Sequence, residues 1–286
     1  MNSAEHPRDR LPHRVVHALR CSVCGAQVKR ADTTVRCHQG HSFDIAKQGY
    51  VNLLHARIPA GTADTAPMVA ARAAFLGSGV YRPLADVLAR LAATHAGDGL
   101  IVDAGAGTGY YLARALDAAP KAAGLALDVS ALALRRAARA HERAGAAVWN
   151  LWEPWPMGDD VASMVFNVFA PRNAEQFHRV LAPGGLLVVA TPTAGHLREL
   201  GDLVLDVDER KDERLARSLS EYFTRTSRVE VTNRVEFSPE LVREVVDMGP
   251  TAHHLTDDRR ARLEALSSPL DVTTSFAVSV YRAVTA

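Results

Sequence analysis

The sequence predicts an α/β protein, a doubly wound parallel sheet preceded by a small metal-binding segment. Three observations carry that reading. Residues 100–115 (LIVDAGAGTGYYLARA) pass from an apolar strand through Gly105, Gly107 and Gly109 into helical spacing. Strand and helix patterns then alternate to residue 191, as a parallel sheet with crossover helices requires. All three cysteines lie between Cys21 and Cys37, which gives no even set for a disulfide framework and points to metal.

A chain of 286 residues with 48% hydrophobic side chains can bury a sizeable core. Its first residues, MNSAEHPRDRLPHRVV, contain no apolar targeting core, and no run is long enough to span a bilayer. A cytoplasmic protein without a membrane partner is expected. The net charge of +1 is unevenly spread: residues 1–58 hold nine Lys/Arg against four Asp/Glu. That asymmetry fits an N-terminal module that meets a polyanion, with plain solvated surface charge as the alternative.

In chain order, the first chemistry is Cys21-x-x-Cys24, then Cys37-x-x-x-His41. Two short-spaced pairs on facing turns supply the tetrahedral N/S set that zinc takes. Gly25 and Gly40 suit the knuckles, where backbone amides turn toward sulfur. His38 competes with His41, but a residue adjacent to Cys37 reaches the same ion only with strained geometry, so His41 is preferred. Four protein ligands leave no open position for water, so the zinc is structural.

Residues 43–54 (FDIAKQGYVNLL) show no clean periodicity and read as a docking segment or linker, and 59–67 (PAGTADTAP) as a Pro/Gly/Thr-rich linker. Residues 68–76 form a helix, and a turn carrying Tyr81 leads into a second helix over 83–93. Strand one is 100–104 and helix A is 109–118. Glycines between them let a backbone approach a ligand more closely than any Cβ permits, and the amides at the helix start face it. A dinucleotide fingerprint needs its third glycine at position 110, which is Tyr110. Strand two, 122–127, ends at Asp128, a carboxylate placed to accept both hydroxyls of a ribose, with a helix-cap role as the alternative. The following helix reads as 131–144. Strand three is 146–149, with Asn150 at its tip where adenine usually sits. Strand four, 162–169, runs into Ala170-Pro171-Arg172-Asn173. Ligands of open α/β sheets lie beyond the carboxyl ends of the strands, so Asn167 and Arg172 are the candidate catalytic residues on the reaction-side loop. Strand five is 186–191. Residues 197–224 read as a charged helix, 228–237 as strand six and 271–284 as the last strand. The insertion at 238–268 is a candidate substrate lid. His253-His254 is not a metal pair, since adjacent side chains diverge.

The D-x-G-x-G-x-G stretch at Asp103–Gly109 resembles motif I of class I S-adenosylmethionine (SAM) methyltransferases, which implies Asp103, Gly105, Gly107, Thr108, Asp128 and Asn150 as cofactor contacts. The Cys/His knuckle running into FDIAKQGYVNLL, and then motif I, is similar to the 23S rRNA (guanine-N1)-methyltransferase family over nearly the whole chain. The resemblance implies further cofactor contacts at Tyr81 and His196. It implies methyl transfer from SAM to N1 of a guanine in a 23S rRNA hairpin loop, with structural Zn2+ at Cys21, Cys24, Cys37 and His41. NVFAPRN looks closer to the Gram-positive branch associated with resistance to tylosin-type macrolides. Guanine N1 carries a proton and lies on the Watson–Crick edge, so the base is unpaired or flipped and must be deprotonated. The sequence names no general base. On this reading 1–58 is a zinc-binding RNA-recognition module, 59–79 a linker and helix, and 80–286 the methyltransferase domain. The oligomeric state stays open, a homodimer included. A small-molecule methyltransferase and a non-catalytic SAM-sensing RNA-binding protein are the rival readings.

Overall fold

The computed structural model describes residues 11–55, 63–204, 211–249 and 255–284. Near the N-terminus α1 (His13–Ala18) precedes β1 (Val28–Ala31), β2 (Thr34–Cys37) and β3 (Ser42–Asp44), paired as a small antiparallel sheet. β4 (Tyr50–Asn52) then follows. The main unit begins with α2 (Ala66–Gly77) and α3 (Arg82–His95), followed by β5 (Leu100–Ala104), α4 (Tyr110–Ala118), β6 (Ala123–Asp128), α5 (Ala131–Ala137) and β7 (Ala144–Val148). Next come β8 (Ala162–Val168), α6 (Ala174–Val180), β9 (Leu181–Pro192) and a 3-10 turn at Arg198–Leu203. The chain ends with α7 (Lys211–Leu219), β10 (Phe223–Phe237), α8 (Pro239–Asp247), α9 (Asp257–Glu264) and β11 (Leu270–Ala283).

The large sheet has the order β10-β11-β9-β8-β5-β6-β7-β4. From β9 to β4 it is parallel, whereas β11 and β10 are antiparallel additions. The doubly wound class is as the sequence predicts. Strand order reverses between β5 and β8, so a crevice opens at their carboxyl ends. Two apolar layers cover the sheet. One includes Leu84, Leu88, Leu112 and Phe276; the other packs Leu19, Val28, Val35 and Leu53 of the N-terminal segment against Leu125, Trp149 and Met157. No helix of the described residues is long and apolar enough to cross a membrane.

Several element boundaries differ from the sequence reading. The stretch 43–54, expected as docking or linker, supplies β3 and then β4, and β4 pairs in parallel with β7 as the edge of the large sheet. Strands this short leave no alternation to read. The helix expected over 131–144 stops at Ala137, because Arg143 turns back to donate to the carbonyls of Ala119 and Ala122 at 2.7 and 2.6 Å and to that of Leu116. β7 accordingly starts at Ala144. β9 begins at Leu181, where a bulge lets Leu181 pair with Ala162 before the regular ladder from Met164. The helix expected over 197–224 is a 3-10 turn, α7 and the start of β10; 205–210 lies outside the described residues, as do 1–10, 56–62, 250–254 (with His253-His254) and 285–286.

Candidate active site and metal centre

The three glycines after β5 all have positive φ, +86° at Gly105, +53° at Gly107 and +79° at Gly109. At Gly105 the reason is also spatial: a Cβ there would lie 2.3 Å from the Cβ of Ala170. Gly105 and Ala106 donate to the Leu127 carbonyl at 2.8 and 3.1 Å, which clips the loop to the tip of β6. Asp128 completes the clip. Its two carboxylate oxygens accept from the amides of Gly107 and Ser130, each at 2.8 Å, while Ser130 itself caps α5 through the amide of Ala133.

A cavity of about 520 Å³ opens beyond this loop, within the range of small-molecule sites. Gly105, Gly107, Thr108, Tyr81, His196 and Arg172 all line it. Asp103 lies behind the loop, 1% exposed. Asn150 and Asn167 sit elsewhere: Asn150 accepts from the amide of Trp152 at 3.1 Å, and Asn167 donates to the carbonyls of Ala104 and Pro171 at 3.4 and 2.8 Å. Asn167 therefore holds the reaction-side loop by its backbone, and Arg172 is the charged residue of that loop that lines the cavity. Arg172 Nε is buried without a hydrogen-bond partner among the described residues.

Two wall residues escape the sequence reading. Arg72, on α2, pairs with Asp64, donates to the Met248 carbonyl at 2.9 Å and reaches over Gly107. Phe169 is 42% exposed at the mouth and has φ +56°, a conformation that bulky side chains avoid. Its ring lies 5.5 Å from Phe276 and 6.3 Å from Tyr81 between centroids. A lone arginine in an apolar helical stretch was the only sequence signal for Arg72, and nothing in the sequence announces a strained Phe169.

His196 and Tyr81 form a fixed pair. The His196 Nδ1 accepts the amide of Ser275 at 3.2 Å, so the neutral ring carries its proton on Nε2 and donates it to the Tyr81 hydroxyl 3.0 Å away. Burial raises the Tyr81 phenol well above its ordinary range. Tyr81 consequently stays a phenol, with its own proton to offer.

Both oxygens of Asp103 lack a hydrogen-bond partner among the described residues. Burial first, and then the charge of Asp128, push its carboxyl up to about 7. Such a carboxyl binds its proton more tightly in the folded than in the unfolded chain. The contribution of this carboxyl to the stability of the ligand-free fold is therefore fully present below about pH 4 and falls by roughly 4 kcal/mol as the pH rises to about 7. Asp103→Asn is expected to raise the thermal midpoint of the ligand-free protein at pH 8 and to weaken binding of any cationic ligand at least tenfold. Melting curves with calorimetry check this; a lower midpoint with unchanged affinity would contradict it.

The metal centre is built by the small sheet. The ligand atoms of Cys21, Cys24, Cys37 and His41 lie within 4.8 Å of one another. Cys24 Sγ is 3.8 Å from Cys37 Sγ, and Cys37 Sγ is 3.4 Å from His41 Nδ1. A zinc tetrahedron with its usual bond lengths has edges of about 3.8 Å between sulfurs and about 3.5 Å between sulfur and nitrogen, so the set fits the ion. Burial pushes the Cys37 thiol up, but the amides of His41 and Gln39 and the side chains of His41 and Cys24 more than offset it and bring it down to about 6.

Comparison with known proteins agrees with both halves. Residues 19–57 match the RlmA N-terminal zinc ribbon family. A chain from the complex between the Haloferax volcanii Trm112 methyltransferase activator and a methyltransferase shares the fold, with a TM-score of 0.52 over 79% of this chain and 100% of that chain at 18% identity. A Micromonospora griseorubida protein assigned as a 23S rRNA (guanine-N1)-methyltransferase is 49% identical, over 98% of this chain and 100% of its own length. The 23S rRNA (guanine(748)-N1)-methyltransferase of Streptomyces fradiae is 45% identical, over 94% of this chain and 98% of its own. On that near full-length likeness, the chain belongs to the 23S rRNA (guanine-N1)-methyltransferase family.

Proposed function

We propose that this protein transfers a methyl group from SAM to N1 of a guanine in 23S rRNA. The observation that carries the reading is the 45% identity, along almost the whole of both chains, to the Streptomyces fradiae enzyme named for that reaction. The cavity suits it. Bound SAM supplies an electrophilic methyl group on a sulfonium. Gly105, Gly107 and Thr108 would lie against the cofactor, Asp128 would accept from its ribose, and the unpartnered carboxylate of Asp103, buried behind the loop, would offset the cofactor's positive charge from there. Tyr81 and His196 also line the cavity.

On the substrate side Phe169 offers an exposed aromatic face on which an unpaired purine can stack. Removal of the N1 proton places negative charge on guanine O6, and Arg172, which lines the cavity on the reaction-side loop, would donate to that oxygen. Among the described residues of the wall, no side chain offers the free lone pair of a general base. The His196 Nδ1 is occupied by the Ser275 amide, and burial raises the phenols of Tyr81 and Tyr111. The proton leaves to solvent, and Arg172 acts by favouring the deprotonated base. Arg172→Ala is expected to lower kcat by about 100-fold or more with SAM affinity unchanged, and Arg172→Lys to restore part of it. In the wild type log kcat should rise with pH between about pH 6 and 8 without a plateau. A plateau in that range would reveal a protein base and overturn this mechanism.

Residues 1–58 serve as the RNA-recognition module in this reading, ahead of the linker and helix at 59–79. Lys29, Arg30, Arg36 and Lys47 are exposed there, and Lys29 stands directly across from Arg36 in the β1/β2 ladder. Like charges in that position repel, a cost that phosphate relieves. Within the catalytic domain, 80–286, the insertion at 238–268 would serve as the substrate lid; of its described residues, Val245, Met248 and Gly249 line the cavity. The substrate is a hairpin loop of the rRNA, because N1 is accessible only in an unpaired guanine. Incubation with SAM and unmethylated 23S rRNA should give one SAM-dependent reverse-transcription stop in such a loop. Label entering RNA without a stop would place the methyl group off the Watson–Crick edge. Label entering only small molecules would replace the reading.

A further inference from the structure

Residues 149–155 (WNLWEPW) follow β7 and hold all three tryptophans of the chain. Two of them are core residues: Trp149 and Trp155 are 2% and 3% exposed, and the Trp155 ring packs against Phe177 with centroids 5.6 Å apart. Trp152 is 64% exposed, the most exposed large apolar side chain among the described residues.

The backbone that carries this indole is firmly held. The Asn150 side chain accepts the amide of Trp152 at 3.1 Å, and the Asn150 carbonyl accepts the amide of Glu153 at 3.1 Å, closing a tight turn with Trp152 at its third position. Trp155 Nε1 donates to the Leu151 carbonyl at 3.1 Å. Asn173 Nδ2 donates to the carbonyls of Leu151 and Trp152 at 3.1 and 3.3 Å. A tryptophan has only two side-chain torsions, so an indole on such a frame loses little freedom when a ligand lies against it.

Asn173 also fixes where the ring stands. It ends the reaction-side loop and caps α6 by accepting the amide of Gln176 at 3.4 Å. Leu151, the neighbour of Trp152, has its Cδ1 3.7 Å from where a Cβ on Gly105 would lie, beside Ala170. The exposed indole therefore follows directly on a residue packed against the cofactor loop. Phe169, 42% exposed, opens the same reaction-side loop that Asn173 closes, so two exposed rings bracket residues 169–173. Proteins grip unpaired strands by stacking successive bases on aromatic side chains in this way. The basic residues of the small sheet can attract phosphate but cannot hold a base in place.

We propose that Trp152 is the stacking surface for a nucleotide flanking the target guanine, holding the unpaired strand while that guanine enters the cavity beside Phe169. Trp152 binds RNA and takes no part in the chemistry; the proposal rests on the reading of 23S rRNA as substrate. The test uses the full-length, zinc-loaded protein and a hairpin oligoribonucleotide cut from 23S rRNA around the reverse-transcription stop. With Trp149 and Trp155 buried, acrylamide should quench chiefly Trp152; the hairpin should shield that emission, and Trp152→Phe should abolish the response. Trp152→Ala should raise the Kd and KM for the hairpin by about tenfold or more, with SAM affinity and the salt dependence of RNA binding unchanged, since stacking releases no counterions. Trp152→Phe should regain most of that loss. An abasic site in place of the stacked flanking nucleotide should weaken the wild type by a similar factor and Trp152→Ala no further, which a merely structural role would not produce. An indole still open to acrylamide in the complex, wild-type Kd and KM in Trp152→Ala, or abasic sites that weaken both proteins equally would each overturn the proposal while leaving the rRNA reading intact. A wild type that gives no stop on 23S rRNA would overturn both.

Discussion

Cys37→Ser is expected to release the zinc, to lower the melting temperature by 10 °C or more, and to reduce rRNA methylation by about 100-fold while the folded fraction still binds SAM within about twofold. Cys37 is buried and is the ligand in contact range of both Cys24 and His41, so its loss leaves no set that can close a tetrahedron. The three strands of the small sheet are short and bury few side chains of their own. Without the metal they have little to hold them, because binding free energy at a structural zinc site is folding free energy. Instability should spread further than a tethered finger would allow, since Leu19, Val28, Val35 and Leu53 share one apolar layer with Leu125, Trp149 and Met157 of the catalytic unit. The glycine loop and the cavity wall are built largely against the other layer, and for that reason SAM binding should survive. Metal analysis, melting curves, calorimetry and a methylation assay together decide it. Full zinc content in the variant would overturn the ligand set; parallel loss of SAM binding would mean that the N-terminal segment is part of the cofactor site.

What the sequence makes legible follows physical range. Leu100–Ala104 is an apolar run with a glycine turn behind it, and the strand is found at those residues because the signal is entirely local. The zinc ligands are legible for the same reason, as spacing alone brings them to two facing turns. β4 was not legible: its three residues pair with β7, a strand far away along the chain, and no local pattern reports that partner. At the site the limit is side-chain direction. The sequence puts Asn167 and Arg172 together at the end of β8, yet Asn167 turns into the backbone of its own loop while Arg172 reaches the cavity. Phe169 reaches the mouth through a positive φ that sequence preference would assign to glycine or asparagine. Asp103 could be placed at the strand tip, but its want of a partner is a property of the packed interior.

Gly105→Ala is expected to abolish measurable SAM binding, a loss of at least about 100-fold or 2.7 kcal/mol, whereas Gly107→Ala should cost about tenfold. The two positions differ in what a single added carbon would meet. At Gly105 it would lie 2.3 Å from the Cβ of Ala170 and 3.6 Å from its Cα, on a segment that Asn167 fixes through the Pro171 carbonyl. Neither side can yield. The loop is clipped by the bonds of Gly105 and Ala106 to Leu127, so relief would require breaking those bonds or driving the reaction-side loop out of the cavity. At Gly107 the carbon would meet only the side chain of Arg72, its Nη1 at 3.2 Å and its Cδ at 3.6 Å, toward the end of a flexible side chain. What remains there is the left-handed backbone at φ +53°, a strain of about 1–2 kcal/mol for alanine. Gly109 is different again: its added carbon would lie 2.8 Å from the Cα of Ala137, between α4 and α5, so Gly109→Ala should lower the melting temperature more than Gly107→Ala does. Calorimetry with SAM and melting curves on the three variants give the order directly. Normal SAM affinity in Gly105→Ala would show that the cofactor does not depend on this loop, and the cavity would have to be read as something other than its cradle.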